Sequence, residues 1–366
     1  MSNPVALVAA GGTGGHLFPA HALTSELVRR GWDVHLVSDD RALSYGIEYP
    51  GTAVHTVASA TVRGRNPMAL MQTAWGIGRG WLQSRALLRR LKPQIVIGFG
   101  GYPTLPPLLA ARFAGVPYIL HESNGVMGRA NKLMMSRAAA VATSLDRTDG
   151  LEDFTGKVEK TGNPVRDNVL AQAGRTYPNR KPDERFNLLI FGGSQGARVF
   201  SEVVPEAMAE LPTEMRQRLR VIQQCRPEDL SDVASRYEQL GLDAHLANFI
   251  EDIPDQIAQS HLVIARSGAS TVSELTVIGR PSLLVPLPHS LDNDQLKNAQ
   301  ALEGVGGAVL IKQDAFTAPQ LAQTLANFIA NPDALSMMAA NALAAGTAEA
   351  TTNLADLVEQ IGKRGM

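Results

Sequence analysis

The sequence predicts an α/β fold of two Rossmann-like domains whose parallel sheets face each other across a cleft. Three observations carry this prediction. An uninterrupted apolar run, Val5-Ala6-Leu7-Val8-Ala9-Ala10, feeds the loop Gly11-Gly12-Thr13-Gly14-Gly15-His16 and then Leu17, Ala20, Leu23 and Leu27 at helical spacing, closed by Gly31. A run without polar alternation is what a parallel strand covered on both faces requires. Roughly 180 residues later the pattern returns as Asn187-Leu188-Leu189-Ile190-Phe191, then Gly192-Gly193-Ser194-Gln195-Gly196-Ala197-Arg198 opening another helix. The third observation is length: 366 residues suffice for two domains, each with its own core.

Composition narrows the classes. A formal net charge of −1 implies no global electrostatic partner and no nucleic acid. Cys225 is the single cysteine, which excludes an intrachain disulfide and fits a reducing compartment. The start, Met1-Ser2-Asn3-Pro4, lacks the basic region of a signal peptide. No uncharged apolar run reaches the ~18 residues of a spanning helix. These features together predict a soluble cytoplasmic protein.

In the first half, the spacing of the glycine loop is not the dinucleotide G-x-G-x-x-G, and Asp33 or Asp39 would be a loose ribose partner, so a nicotinamide cofactor is not favoured. The glycines let backbone amides face an anion. His16 stands at the mouth of the sheet, either as a proton acceptor or packing the helix start. From Tyr49 to His121 there is no Asp or Glu, while Arg63, Arg65, Arg79, Arg85, Arg89, Arg90, Lys92 and Arg112 are present. Within that stretch Asn66-Pro67 starts a helix whose Met68, Leu70, Met71, Trp75, Ile77, Trp81 and Leu82 exceed the single stripe a docked helix needs. It reads as an interfacial helix on an anionic bilayer, or as a deeply packed one with solvated arginines. Ile95-Val96-Ile97 leads into a second glycine loop, Gly98-Phe99-Gly100-Gly101-Tyr102-Pro103, and Tyr118-Ile119-Leu120 into the polar cluster His121-Glu122-Ser123-Asn124-Gly125. Gly162-Asn163-Pro164-Val165-Arg166 follows a short strand at 158–161, and the polar, Pro-containing stretch 175–185 gives the strongest linker signal.

The second half continues with a strand at 219–224, a helix at 227–240, a strand ending in Asn248-Phe249-Ile250-Glu251-Asp252 and a short helix to Ser260. The stretch Leu262 to Asn298 is the richest in chemistry. Leu262-Val263-Ile264-Ala265 is a strand, Arg266-Ser267-Gly268-Ala269-Ser270-Thr271-Val272-Ser273-Glu274 opens a helix, and Gly279-Arg280-Pro281 stops it. Small residues there let free helix amides approach phosphate oxygens, with Arg266 adding a charge. Glu274 lies about one turn further in, where it can accept both ribose hydroxyls; alternatively Thr271-Val272-Ser273-Glu274 is a capping box. A last apolar run, Ser282 to Pro286, ends in the loop holding His289, Asp292, Asn293, Asp294 and Gln295. Asp292-Asn293-Asp294 is a D-x-D that could hold a divalent cation, although helix dipoles already supply positive potential. No zinc spacing, P-loop or G-x-S-x-G elbow is present.

Taken in order, GGTGGH, GFGGYP, HESNG, GNPVR, GGSQGAR and RSGASTVSE with its H…DQxxNA loop resemble the two-domain GT-B glycosyltransferases over nearly the whole chain. Within them the likeness is to the bacterial peptidoglycan N-acetylglucosaminyltransferases. The resemblance implies inverting, metal-independent transfer of N-acetylglucosamine, with no cofactor, from UDP-N-acetylglucosamine to undecaprenyl-diphosphate-linked N-acetylmuramyl-pentapeptide. It implies an N-terminal acceptor domain of residues 1–163 plus 341–366 and a UDP-sugar domain of residues 164–340. His16 is then the base, with Glu122 in reserve. Uracil lies near Ile250 and Ala269, ribose on Glu274, diphosphate at Ser194 and the turn from Ser267 through Ala269 to Ser270, and the sugar near Asn124 and Gln295. Thr13, Gly14, Gly15, Arg166, Thr271, Val272 and Ser273 complete the donor contacts. Gly14, Gly15, Gly100, Gly101 and Tyr102 face the acceptor diphosphate. Trp75, Ile77, Arg79, Trp81, Leu82 and Arg85 touch the cytoplasmic face of the inner membrane peripherally, where cell-wall and division machinery are possible partners. Domain closure would exclude water. The family usually carries Gln where this chain has Ser123, so no role passes to that position. A 2-epimerase, a transferase with a soluble acceptor and a non-catalytic UDP-sugar-binding scaffold are the alternatives.

Overall fold

The computed structural model describes residues 3–11, 13–40, 49, 51–59, 67–193 and 196–363. Of the residues singled out above, Met1, Ser2, Gly12, Arg63, Arg65, Asn66, Ser194, Gln195 and the side chain of Leu70 lie outside them. The chain forms two compact units, Met1–Arg166 with Ala348–Met366, and Asp167–Thr347.

In the first unit seven parallel strands, β1 (Val5–Ala9), β2 (Asp33–Ser38), β3 (Thr52–Thr56), β4 (Ile95–Gly98), β5 (Tyr118–Glu122), β6 (Ala140–Thr143) and β7 (Lys157–Lys160), lie in the order β3-β2-β1-β4-β5-β6-β7. Among the described residues, helices α1 (Gly14–Arg29), α2 (Pro67–Leu91), α3 (Leu105–Ala114) and α4 (Arg129–Met134) connect them. The apolar runs become strands because helices cover both faces: Ala6 and Val8 pack into one core with Leu17, Leu23 and Leu27, while Leu7 packs into another with Leu87, Leu108 and Leu120. The order reverses direction between β1 and β4, and a doubly wound sheet binds ligands at that switch point. Both glycine loops of this unit leave the sheet there.

The second unit repeats the plan with six parallel strands, β8 (Phe186–Phe191), β9 (Leu219–Gln224), β10 (Asp243–Ala247), β11 (Leu262–Ala265), β12 (Ser282–Leu284) and β13 (Ala308–Leu310), in the order β10-β9-β8-β11-β12-β13. Its helices are α5 (Asp167–Leu170), α6 (Arg198–Glu210), α7 (Thr213–Arg216), α8 (Leu230–Gln239), α9 (Ile253–Gln259), α10 (Ala269–Ile278), α11 (Asp294–Gly304), α12 (Ala318–Ala330) and α13 (Pro332–Ala345). The switch point lies between β8 and β11, under the loops that begin at Gly192 and Arg266.

The last helix, α14 (Ala350–Gly362), belongs to the first unit, where Leu354, Leu357 and Val358 join the core around α1. Arg30 fastens it by donating to Asp356 Oδ1 at 2.6 Å and to the Thr352 carbonyl at 3.4 Å. The return therefore begins at Ala348, because Asn341 lies inside α13. Residues 175–185 are no loose linker either. The side chain of Arg180 is buried and donates to the carbonyls of Ile329, Pro182 and Glu184, and the Tyr177 hydroxyl donates to the His261 carbonyl. Polar composition signalled a linker, yet these polar groups are spent on backbone carbonyls.

Candidate active site

In the first unit the loops after β1 and β4 interlock backbone against backbone. Gly11 N–H donates to the Gly100 carbonyl at 3.0 Å, and a Cβ on Gly101, whose φ is +80°, would stand 2.9 Å from the Gly11 Cα. A side chain at Gly101 would strike this backbone in a strained conformation, and one at Gly11 would crowd the Gly100 carbonyl. His16, in the first turn of α1, sits against this junction: a Cβ on Gly100 would meet His16 Nε2 at 3.3 Å and Asn131 Nδ2 at 3.6 Å. Thr13 is the residue before α1, but its hydroxyl caps nothing and stands 2.9 Å from His16 Nδ1. Desolvation holds the His16 imidazole down at about 4, so it is neutral at pH 7 and able to take a proton.

The end of β5 adds a buried cluster. His121 Nε2 lies 3.1 Å from the Gly162 carbonyl, which can only accept, so that nitrogen carries the proton. Nδ1 of His121 is buried with no hydrogen-bond partner among the described residues, and burial likewise lowers this imidazole to about 4. Both oxygens of Glu122 accept bonds: Oε1 from the backbone and side-chain N–H groups of Asn124 at 3.2 Å each, Oε2 from Gly128 N–H at 2.8 Å and Asn131 Nδ2 at 2.9 Å. Burial still raises its pKa against these four donors. Glu122 thus organises the turn that presents Asn124. Arg166 lies with its guanidinium 4.5 Å from the ring centre of Phe18 on α1, and a Cβ on Gly14 would touch the same ring at 3.0 Å, so Arg166 is seated beside the start of α1.

In the second unit the turn after β11 leads into α10. Gly268 precedes the helix, with open space where a side chain would be, and the first amide bonded within the helix is Val272 N–H, to the Gly268 carbonyl. The amides of Ala269, Ser270 and Thr271 belong to the first turn, which has no intrahelical acceptors. Ser270 Oγ is buried with no partner among the described residues, and Glu274 is only 8% exposed. The capping-box alternative fails here: Thr271 lies inside the helix, the cap position is Gly268, and no side chain caps it. Arg266 does not offer its charge to the turn as expected; it donates to the carbonyls of Val285 and Pro286 and to Gln313 Oε1, tying the loops after β11, β12 and β13 together.

Gln295 stands at the start of α11. Its backbone carbonyl accepts from Ser267 Oγ at 2.8 Å, and its Oε1 accepts from Leu287 N–H at 2.9 Å, so its remaining NH2 is the group suited to a sugar hydroxyl. Asp294 Oδ1 accepts from Gln295 N–H, which draws one carboxylate of the D-x-D into the helix start. Ile250 is buried and follows the exposed Phe249 at the end of the β10 loop. One further residue was missed by the sequence reading, Asn131, which joins the His121 carbonyl to Glu122, while Asn298 of the DQxxNA motif donates to the Ser267 carbonyl at 3.1 Å. An amide inside a short helix carries no local signal of such partners.

Helix α2 has two faces. Thr73, Gly80, Ser84, Leu87 and Leu88 are buried, and a Cβ on Gly80 would lie within bonding distance of the Ala58 carbonyl, so the helix is seated tightly there. The opposite side leaves Trp75 78% and Leu82 60% exposed, with Phe113 of α3 at 75% and the arginines 79 and 85 exposed beside them. Ile77 and Trp81 are only half exposed: Trp81 packs edge-on against Phe113, under Arg85, along a groove of about 1190 Å³. The helix is therefore packed along one side and exposed along the other. No described helix is long and apolar enough to cross a membrane.

Two successive doubly wound parallel sheets, with glycine loops and an open helix start at their switch points, place the chain in the GT-B class of glycosyltransferases. Residues 6–143 match the N-terminal domain of glycosyltransferase family 28 and residues 187–361 its C-terminal domain, and the chain belongs to this family. The UDP-N-acetylglucosamine--N-acetylmuramyl-(pentapeptide) pyrophosphoryl-undecaprenol N-acetylglucosamine transferase of Brucella abortus (strain S19) is 50% identical, covering 98% of this chain and 94% of that protein. The enzyme of the same name from Chelativorans sp. (strain BNC1) is also 50% identical, over 99% of this chain and 96% of that one. Among solved structures, Acinetobacter baumannii MurG is similar with a TM-score of 0.80 at 28% identity, over 98% of this chain and 99% of that chain. The UDP-GlcNAc 2-epimerase of Neisseria meningitidis bound to UDP-GlcNAc gives 0.68 at 14% identity, over 97% and 100%, a likeness of fold alone.

Proposed function

We infer that this chain transfers N-acetylglucosamine from UDP-N-acetylglucosamine to the N-acetylmuramyl-pentapeptide carried on undecaprenyl diphosphate, converting lipid I to lipid II in peptidoglycan synthesis. Identity of 50% along nearly the whole chain to transferases of that name supports it. The observation that carries the donor half is the start of α10, where unbonded first-turn amides, an unpartnered Ser270 hydroxyl and buried Glu274 lie within two helical turns. In this reading the diphosphate lies at the helix start and at Ser194, ribose on Glu274, uracil near Ile250 and Ala269, and the sugar near Gln295.

Transfer is a single displacement with inversion. The muramyl hydroxyl attacks the anomeric carbon and gives its proton to His16 Nε2, while the bond from that carbon to the UDP oxygen breaks. Charge growing on the leaving diphosphate is met by the helix amides rather than by a divalent cation. Glu122, whose oxygens already accept four N–H bonds, serves to present Asn124. Gly14, Gly15, Gly100, Gly101 and Tyr102 face the acceptor's diphosphate. The exposed apolar side of α2 and α3, among arginines, supports peripheral attachment to the cytoplasmic face of the inner membrane, where the lipid acceptor resides.

Incubation with both substrates tests the reading. The lipid acceptor should gain one N-acetylhexosamine by mass spectrometry, in a β-glycosidic bond by NMR. An α bond, or a mass gain on a soluble acceptor alone, contradicts it.

A further inference from the structure

Gln224 is the last residue of β9, the strand between β8 and β10, and its side chain is buried. Gly192 N–H donates to its Oε1 at 3.0 Å, and its Nε2 donates to the Asn248 carbonyl at 3.3 Å. The two partners open different loops. Gly192 begins the glycine loop after β8, and Asn248 begins the segment after β10 that carries Phe249 and Ile250. The β9–β10 ladder closes at the same level, with Cys225 N–H donating to the Ala247 carbonyl at 2.9 Å.

The orientation of this amide is fixed by chemistry. Exchanging its oxygen and nitrogen would set NH2 against the Gly192 N–H and oxygen against the Asn248 carbonyl, leaving buried polar groups unpaired at both ends. A Cβ on Gly192 would collide with the Ala197 nitrogen and the Gly196 carbonyl carbon, so Gly196 and Ala197 lie directly against Gly192.

We propose that Gln224 is a positioning residue for nucleotide recognition, locking the glycine loop that meets the diphosphate to the segment that meets the base through an amide whose oxygen and nitrogen are both committed inside the protein. The inference rests on the donor reading above. It makes selectivity for a uridine nucleotide depend on a residue outside the binding surface.

Two variants separate the two ends. Gln224→Glu keeps an acceptor for Gly192 N–H but turns a carboxylate oxygen toward the Asn248 carbonyl, so it releases the base segment alone. Gln224→Leu releases both loops. UDP and ADP are titrated by calorimetry into the full-length wild type and each variant, alongside donor KM and kcat. The wild type should prefer UDP. In Gln224→Glu, UDP should weaken about tenfold, the effect of one hydrogen bond, with ADP within about twofold, donor KM raised and kcat little changed. In Gln224→Leu both nucleotides should weaken; should that variant fail to fold, Gln224→Glu decides alone. UDP affinity in Gln224→Glu within twofold of wild type, or equal losses for UDP and ADP, would overturn the proposal. A wild type that binds UDP no better than ADP would instead overturn the donor reading, and this inference with it.

Discussion

The Thr13 hydroxyl stands 2.9 Å from Nδ1 of His16, at the position where a threonine would ordinarily cap a helix. When Nδ1 donates its proton to that hydroxyl, Nε2 keeps its lone pair beside Gly100, and the imidazole is held in the tautomer a base needs. Replacing Thr13 by Val removes the partner at nearly constant volume. It should lower kcat by about tenfold to a hundredfold, a fraction of what a general base contributes, and Thr13→Ser should restore it. An unchanged kcat in Thr13→Val would sever Thr13 from the base.

The pH dependence follows from the desolvated imidazoles. His16 sits at about 4 because burial disfavours its charged form, so a base role remains available well below its ordinary 6.5. The acid limb of kcat/KM should fall below about pH 5, and a limb at 6.5 would point to another group. The sign for stability is the same. His121 and His261 are also lowered to about 4, while in the unfolded chain histidines protonate near 6.5. Stability is complete above pH 6.5 and is lost as pH falls toward 4, because only the unfolded chain takes up the protons. Calorimetric melting temperatures across that window should decline with pH.

Much of this arrangement was legible in the sequence. The apolar runs before Gly11, Gly98, Gly192 and Arg266 became strands flanking the two switch points, because continuous runs and glycine loops are local signals of a buried parallel strand and its turn. Strands β2, β3 and β6 went unread; β3 carries half-exposed residues at the sheet edge, in a stretch that composition marked only as basic. The work of Arg266, Arg180 and Glu122 was equally hidden. Each serves backbone groups distant in sequence or folded back by a turn, and a charged residue shows no such partners in its own neighbourhood.

Glu274 separates the ribose role from a helix-capping one. Since α10 starts at Ala269 with Gly268 as its cap, Glu274→Ala should leave the helix intact by circular dichroism. UDP affinity should fall about a hundredfold, the effect of two hydrogen bonds to a charged acceptor. Unaltered UDP binding in calorimetry would end the assignment.

The membrane face is best probed where side chains are free of the core. Trp75 and Leu82 are 78% and 60% exposed, whereas Trp81 packs on Phe113. Trp75→Ser with Leu82→Ser should reduce sedimentation with anionic phospholipid vesicles about tenfold or more while keeping the melting temperature and activity on a soluble acceptor analogue. Full vesicle binding by this double variant would move the contact elsewhere.

The central claim is that UDP leaves the donor only when the lipid-linked muramyl acceptor takes the sugar. UDP release from UDP-N-acetylglucosamine, measured in the presence of a chelator with and without that acceptor, addresses it directly. The account predicts release that depends on the acceptor and persists in chelator. Release that ignores the acceptor, or none with it despite bound UDP-sugar, would contradict it.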